Sequence, residues 1–422
     1  MIMEELYRTI SNGSDINISI DTRTISSGDI YIGLKGDQFD GNSYVQEALD
    51  KGARLAIIDN EAYKIDDRCI LVENTYQTLS ALAKIHRQTF MIPILVIGGS
   101  NGKTTTKELI SAVLSSTHTV HTTKGNLNNE IGVPLTILAM KPGINIAVIE
   151  IGANHADEHT RLMNIVCPTH VVVTNNGKDH LEGFGSIEGV RKANKEIYDC
   201  CRTIGGAAFV NKYIEDLVVD SADMNRTLYP LQSYESTSTL LASLTYNHTD
   251  IASQLFGSFN ENNILAAIAI GEYFNVPLEK ISSAIAEYQP TLKRSQIIEK
   301  NDHTIVLDCY NANPTSMELS LKDFFKSSEA NKRVIIIGDM REVGETELDA
   351  HKEILQLISS HIAPSDEVIA VGQLFSTYQN DFPYTFFPTS TDAKEYFNSL
   401  DIRGKKVFLK ASRGTKLETI LE

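Results

Sequence analysis

Apolar and polar positions along the chain come in blocks, and the sharpest boundary lies near residue 97. A continuous apolar run over 93–97 stops at Gly98-Gly99-Ser100-Asn101-Gly102-Lys103, after which apolar positions recur at helical spacing to about residue 115. That order predicts a buried parallel strand, a glycine-bearing turn and a helix. Upstream, residues 1 to about 90 predict a short amphipathic helix, a strand over 30–34, a polar turn over 35–42, a helix over 44–51, a strand over 55–58 and a helix over 75–87. Downstream, apolar runs over 144–151 and 169–174 predict two more strands, each ending in a polar loop, with a helix from about 187 to 201. The Thr/Ser-rich stretch 231–250 predicts a hairpin. Gly257 to Asn263 then leads into an apolar helix through 269, with Asn260 placed to cap it. From about 291, strands over 304–308, 333–338, 367–372 and 406–410 alternate with helices near 315–327, 346–361 and 391–399. The alternation predicts an α/β protein of three units, 1–90, 91–290 and 291–422, the middle one built on a doubly wound parallel sheet.

Length agrees: 422 residues exceed what one core usually serves, so two or three domains are expected. A formal charge of −16 argues against a nucleic-acid or anionic-membrane surface and requires that anionic ligands be held by particular residues. The five cysteines have neither metal-type nor redox-type spacing, so reduced thiols are expected. The acidic N-terminus lacks a signal-type apolar core, and no apolar run approaches ~20 residues, so a cytoplasmic location is expected.

The candidate chemistry sits in the turns. Gly99, Ser100, Asn101, Gly102 and Lys103 form a phosphate-binding pattern: glycines let backbone N–H groups approach phosphate oxygens, the helix start adds partial positive charge, and Lys103 adds a full one. The usual pattern has glycine six positions before the lysine, and here Ile97 stands there. Thr104 or Thr105 can offer a hydroxyl to Mg²⁺. Glu150 ends the next strand pattern, where open α/β sheets place their ligands, and is a candidate metal or water ligand. His180, in the loop after the third strand, is a candidate metal ligand. Arg23 and Lys35 flank turns where cations can meet a phosphate.

These motifs resemble the Mur ligase family over nearly the whole chain. The resemblance lies in Asp21-Thr22-Arg23, Gly33-Leu34-Lys35-Gly36, the phosphate turn and Gly125-Asn126-x-Asn128-Asn129-Glu130. It continues in Glu150-x-Gly152-Ala153-Asn154-His155, His180-Leu181-Glu182-x-Phe184-Gly185, Tyr310-Asn311-Ala312-Asn313-Pro314 and Gly338-Asp339-Met340. The Tyr310–Pro314 turn is the most discriminating and looks like the member that adds D-alanyl-D-alanine to UDP-N-acetylmuramoyl tripeptide. The resemblance implies a central P-loop domain, a C-terminal Rossmann-like domain and ATP-dependent ligation through an acyl phosphate. It also implies metal at Thr104, Glu150 and His180, and nucleotide contacts at the phosphate turn, Asn260, Arg294, Asp308 and Asn311. Thr22, Arg23 and Lys35 are implied at the uridine diphosphate, Asn126 and Asn128 nearer the peptide, and Arg413 at the dipeptide carboxylate. A monomer is expected. The alternatives are a folylpolyglutamate-type or other ligase with a different acceptor, a catalytically silent homologue, or a plain P-loop ATPase.

One departure stands out. Many members resemble Ala-Lys-x-Glu-Ile after the histidine loop, the lysine being carbamylated to hold a second Mg²⁺. Here the run is Ala193-Asn194-Lys195-Glu196-Ile197. An asparagine amide cannot form that carbamate, and Lys195, ~100° further round a helix, points elsewhere.

Overall fold

The computed structural model describes residues 3–11, 15–36, 38–341 and 343–422. Met1, Ile2 and Asp37, within the expected first helix and polar turn, lie outside the described residues.

The first unit is a four-stranded parallel sheet in the order Ile18–Ser19, Ile30–Ile32, Leu55–Ile58, Cys69–Leu71. Its helix Thr75–Gln88 starts where the Asn74 side chain accepts the Gln77 N–H at 2.8 Å. This helix also joins the first unit to the second. Leu79 and Leu82 share one apolar cluster with Ile94, Val133 and Ile149. Arg87 is buried and donates to the carbonyls of Val166 (2.7 Å) and Cys167 (2.9 Å). Those carbonyls end the helix Glu158–Val166, so the cation meets the negative end of a helix dipole.

The middle sheet has six parallel strands in the order Asn225–Tyr229, Ala207–Asn211, His170–Val173, Ile94–Gly98, Ile146–Glu150, Val120–Thr122. The three strands with continuous apolar patterns occupy its centre, as that pattern requires. Val120–Thr122, Ala207–Asn211 and Asn225–Tyr229 are short or partly polar and give no comparable pattern; pairing with the centre makes them strands. The expected hairpin is present as Leu241–Tyr246 and Thr249–Phe256, within a three-stranded antiparallel sheet. Its two-residue turn puts both Asn247 (φ 46°) and His248 (φ 62°) in the left-handed region, which matches the twist of the flanking strands. The helix Glu261–Tyr273 is apolar nearly all round and buried against the helix Lys103–Ser115. Asn260 precedes it but does not cap it with its side chain. The amide turns back to the Phe256 carbonyl at 2.8 Å instead.

The third unit is a six-stranded sheet in the order Gln296–Glu299, Thr304–Asp308, Lys406–Lys410, Arg333–Gly338, Glu367–Val371, Thr385–Phe387, antiparallel only at the first strand. The last strand of the chain is inserted at the centre of this sheet. The helix Pro314–Ser327 opens with a reciprocal Asn313–Ser316 capping box and proline in its first turn.

Among the buried histidines, His86 and His351 hold neutral roles. His86 bonds Met140 O (3.0 Å) and the Tyr7 hydroxyl (2.8 Å), and His351 Nε2 accepts the Met340 N–H at 3.0 Å. Burial lowers both pKa values below the ordinary 6.5. The unfolded chain therefore binds more protons than the fold just below about pH 6.5, and stability declines as pH falls through that region. Urea unfolding midpoints are expected to drop from pH 7.5 to pH 5.5, less so in His86→Gln; a flat profile would contradict the neutral assignment.

Candidate active site

The strand Ile94–Gly98 has Ile146–Glu150 on one side and His170–Val173 on the other. Loops following these three strands meet where the strand order reverses, the position at which open α/β sheets leave a crevice. A cavity of about 610 Å³ opens there. Its wall includes Ser100 to Thr105, Asn126, Asn128, Glu150 and His180 from the middle unit, and Asp308, Tyr310, Asn311, Lys410 and Arg413 from the third.

The phosphate turn is shaped by two glycines. Gly102 (φ 82°) begins the helix with no side-chain cap, and Gly99 (φ 110°) passes so close to Thr174 that a Cβ would meet its Oγ1 at 2.4 Å. The uncapped helix start leaves backbone N–H groups for an anion. Lys103 Nζ donates to Gly99 O at 2.6 Å and Ser100 O at 2.9 Å, which holds the ammonium over the turn and leaves one of its three protons for a ligand.

Behind the turn lies Glu150, only 1 % exposed. Its Oε1 accepts from Thr104 Oγ1 (3.1 Å) and Asn128 Nδ2 (2.7 Å), while Oε2 has no hydrogen-bond partner. Lys107, also buried, stands 3.9 Å from Oε2 and ties the 122–130 loop down through Thr123 O at 2.9 Å. A hydroxyl and a bare carboxylate oxygen are hard donors, the type that Mg²⁺ takes together with phosphate oxygens and water. Among the described residues no three His, Cys, Asp or Glu side chains converge on a metal position, so the fit rests on Thr104, Glu150 and the ligand itself.

The third unit closes the other side. Asn313 Nδ2 donates to Asn101 Oδ1 at 2.8 Å, and the Lys178 N–H to Thr315 Oγ1 at 3.2 Å. Asp308 lines the cavity with its carboxylate already engaged by the Lys410 ammonium, the Ser295 N–H (3.1 Å) and Ser320 (3.3 Å). Asn260 accepts from Asn263 Nδ2 at 2.8 Å, and Asn263 in turn accepts from Thr106 at 3.0 Å. Three of the eight buried polar atoms without a partner among the described residues, Asn101 Nδ2, Glu150 Oε2 and Arg294 Nε, belong to cavity-lining residues.

Of the residues singled out from sequence, those of the first unit lie off this cavity. Arg23 is exposed and chelated by Asp21 at 2.6 Å. Thr22 is buried, and its carbonyl accepts from Lys51. Lys35 comes nearest: its carbonyl accepts from the hydroxyl of Tyr76, a cavity residue, at 3.0 Å. Asn194 is buried and donates to Asn176 at 2.8 Å, whereas Lys195 turns to Asp199 at 2.6 Å. Sequence reasoning missed Lys107, whose signal is its spacing of one helical turn from Lys103. It also missed Tyr76, which carries no signal that distinguishes it from other helix tyrosines.

A phosphate turn under a carboxylate-bearing crevice, covered by a second α/β unit, defines a nucleotide-dependent enzyme with the reacting groups enclosed between lobes. Comparison with known proteins is more specific. The Mur ligase middle domain profile matches residues 97–271, the Mur ligase glutamate ligase domain 293–408 and the Mur ligase family catalytic domain 16–87. The UDP-N-acetylmuramoyl-tripeptide–D-alanyl-D-alanine ligase of Bacillus subtilis is 30 % identical over 96 % of this chain and 92 % of its own. The crystal structure of MurF from Acinetobacter baumannii superposes with a TM-score of 0.84 at 28 % identity, covering 96 % of this chain and 92 % of that one. MurF ligase from Thermotoga maritima, solved in complex with ADP, shares the fold with a TM-score of 0.81 at 23 % identity, covering 96 % of each chain. The chain belongs to the Mur ligase family and is a ligase.

Lys103→Met is expected to lower turnover by at least about a hundredfold, the scale of losing one preorganised charge at a phosphoryl transition state, with an unfolding midpoint near that of the wild type. Steady-state ADP release checks it.

Proposed function

We propose that this chain adds D-alanyl-D-alanine to UDP-N-acetylmuramoyl tripeptide with consumption of ATP, forming a peptide bond in peptidoglycan precursor synthesis. The observation that carries the reading is the single cavity in which the phosphate turn and Glu150 face the Tyr310–Pro314 turn across two units. The Bacillus subtilis relative carries the same reaction in its name. The reading includes a monomer acting in the cytoplasm; among the described residues no helix is long and apolar enough to cross a membrane.

In the first step a carboxylate oxygen of the tripeptide attacks the γ-phosphorus in line, and the bond from that phosphorus to the β-bridging oxygen breaks, giving an acyl phosphate and ADP. In the second, the dipeptide amine attacks the acyl carbon, loses a proton, and phosphate leaves with the C–O bonding pair. Both steps bring anions together, so neutralisation dominates the barrier. Lys103 and the open helix start supply it from the middle unit. Thr104 and Glu150 are the residues that would hold Mg²⁺, with His180 on the same cavity wall; the ion would neutralise β- and γ-phosphate charge. Asn260, Arg294 and Asn311 face the nucleotide, with Asp308 holding Lys410 in place beside it. Asn126 and Asn128 face the peptide, and Arg413 the dipeptide carboxylate. The unit over 1–90, with Thr22, Arg23 and Lys35, takes the uridine diphosphate; 91–290 takes ATP and 291–422 the dipeptide. Enclosure between lobes keeps water from the acyl phosphate.

Steady-state ADP release, beyond a single turnover, is expected only when UDP-N-acetylmuramoyl tripeptide, D-alanyl-D-alanine and ATP are all present. Release with ATP alone, or with glutamate in place of the dipeptide, would overturn the assignment. Because Asn194 cannot be carbamylated and Lys195 is turned to Asp199, turnover is expected to be the same in bicarbonate-depleted buffer. A bicarbonate requirement would show that another lysine carries the modification.

A further inference from the structure

Two guanidinium groups pack on the Tyr310 ring at the cavity wall. The Arg294 guanidinium lies 3.6 Å from the ring centroid and that of Arg413 lies 5.1 Å from it. Among the described residues no carboxylate pairs with either arginine, and Arg294 Nε is buried without a partner. Arg294 is half-buried and Arg413 exposed, and an arginine that gives up part of its water at a ligand site is ordinarily held by an acid. Here a neutral ring takes that place, attracting a cation to its electron-rich face without cancelling the charge. The backbone supports the arrangement. Leu292 (φ 56°), Lys293 (φ 57°) and Ser295 (φ 47°) hold left-handed conformations on either side of Arg294. The segment is fastened by Cys309 N–H to Lys293 O at 2.9 Å and by Lys293 to Glu418 at 2.7 Å. Its upstream end is fastened by the Tyr288 hydroxyl to Glu108, on the helix that carries Lys103.

We propose that Tyr310 is a positioning residue that stations Arg294 and Arg413 as one preformed, unneutralised pair. The pair faces the transferring phosphoryl group with the first arginine and the incoming dipeptide's carboxylate with the second. The inference rests on the ligase reading and adds to it: the nucleotide and dipeptide sites share a support, so removing the ring weakens both. An acid at this place would quench the pair; an aliphatic side chain would let the two like charges drift apart.

The test uses the full chain. Tyr310→Leu is expected to raise KM for ATP and for D-alanyl-D-alanine about three- to thirtyfold each, the scale of a partly desolvated cation–ring contact, with a smaller change in kcat. Tyr310→Phe, which keeps the ring, is expected to recover both KM values to within about threefold of wild type. The chain contains no tryptophan, so Tyr310→Trp places a single indole in the platform. Its emission is expected to shift on titration with ADP and, separately, with D-alanyl-D-alanine. Wild-type KM values in a folded Tyr310→Leu protein, a loss confined to kcat, or an indole insensitive to both ligands would overturn the proposal. If Tyr310→Leu does not fold, the Tyr310→Trp titrations decide. Absence of ligation by the wild type would instead overturn the ligase reading, and would leave the ADP titration to judge the platform.

Discussion

Everything in the site follows from one constraint: the strand Ile94–Gly98 has its sequential successors on opposite sides. The chain passes through Val120–Thr122 at one edge and returns to Ile146–Glu150. It then crosses over to His170–Val173, so the loops after these strands cannot cover the strand end between them. The crevice is lined by polar groups that a closed core would exclude. Glu150 is the extreme case: a buried carboxylate with one oxygen bonded twice and the other bare, compensated only by Lys107 at 3.9 Å. Such a group is costly in an interior unless a ligand completes it, so its persistence marks a place where stability has been spent on function.

The second lobe turns that crevice into a cavity. Its sheet also presents strand carboxyl ends, carrying Asp308, Lys410 and the Tyr310–Pro314 turn, toward the phosphate turn. The lobes are joined by apolar packing of Phe256 and Phe259 into the third unit's core and by directional hydrogen bonds. Asn313 meets Asn101 at 2.8 Å, and Asp323 accepts from Ser258 at 2.9 Å. An amide–amide bond to the phosphate turn itself links the state of that turn to the placement of the third unit. The lobes also resolve the problem set by a net charge of −16. The overall field repels a nucleotide and a nucleotide-sugar peptide, yet Lys103, Lys107, Lys410, Arg294 and Arg413 gather around one volume. At these ranges nearby charges outweigh a screened distant field.

Much of the frame was legible in the chain. Central strands announce themselves because burial on both faces demands continuous apolar runs, and helices because one face must be apolar. Val120–Thr122, Asn225–Tyr229 and Thr385–Phe387 were not legible, since edge strands need only backbone partners and their side chains follow no fixed pattern. Site residues divide the same way. Gly99, Gly102 and Lys103 lie within a few positions of one another, and backbone geometry imposes their spacing. Asn260 was read as a helix cap from its local position, but a longer-range bond to Phe256 O and the Asn263–Thr106 chain won its amide.

By itself, then, the sequence determined the strand–turn–helix that holds a phosphate, the alternation that makes the sheets parallel, and the motifs that mark the family, because each is a short-range pattern. Only the tertiary structure decided that Glu150 keeps one oxygen bare, that Lys107 rather than an acid stands behind it, that Lys195 faces Asp199, and that two arginines far apart in the chain meet at Tyr310. Those outcomes depend on which groups compete for the same buried partners, and that competition begins only when distant segments meet.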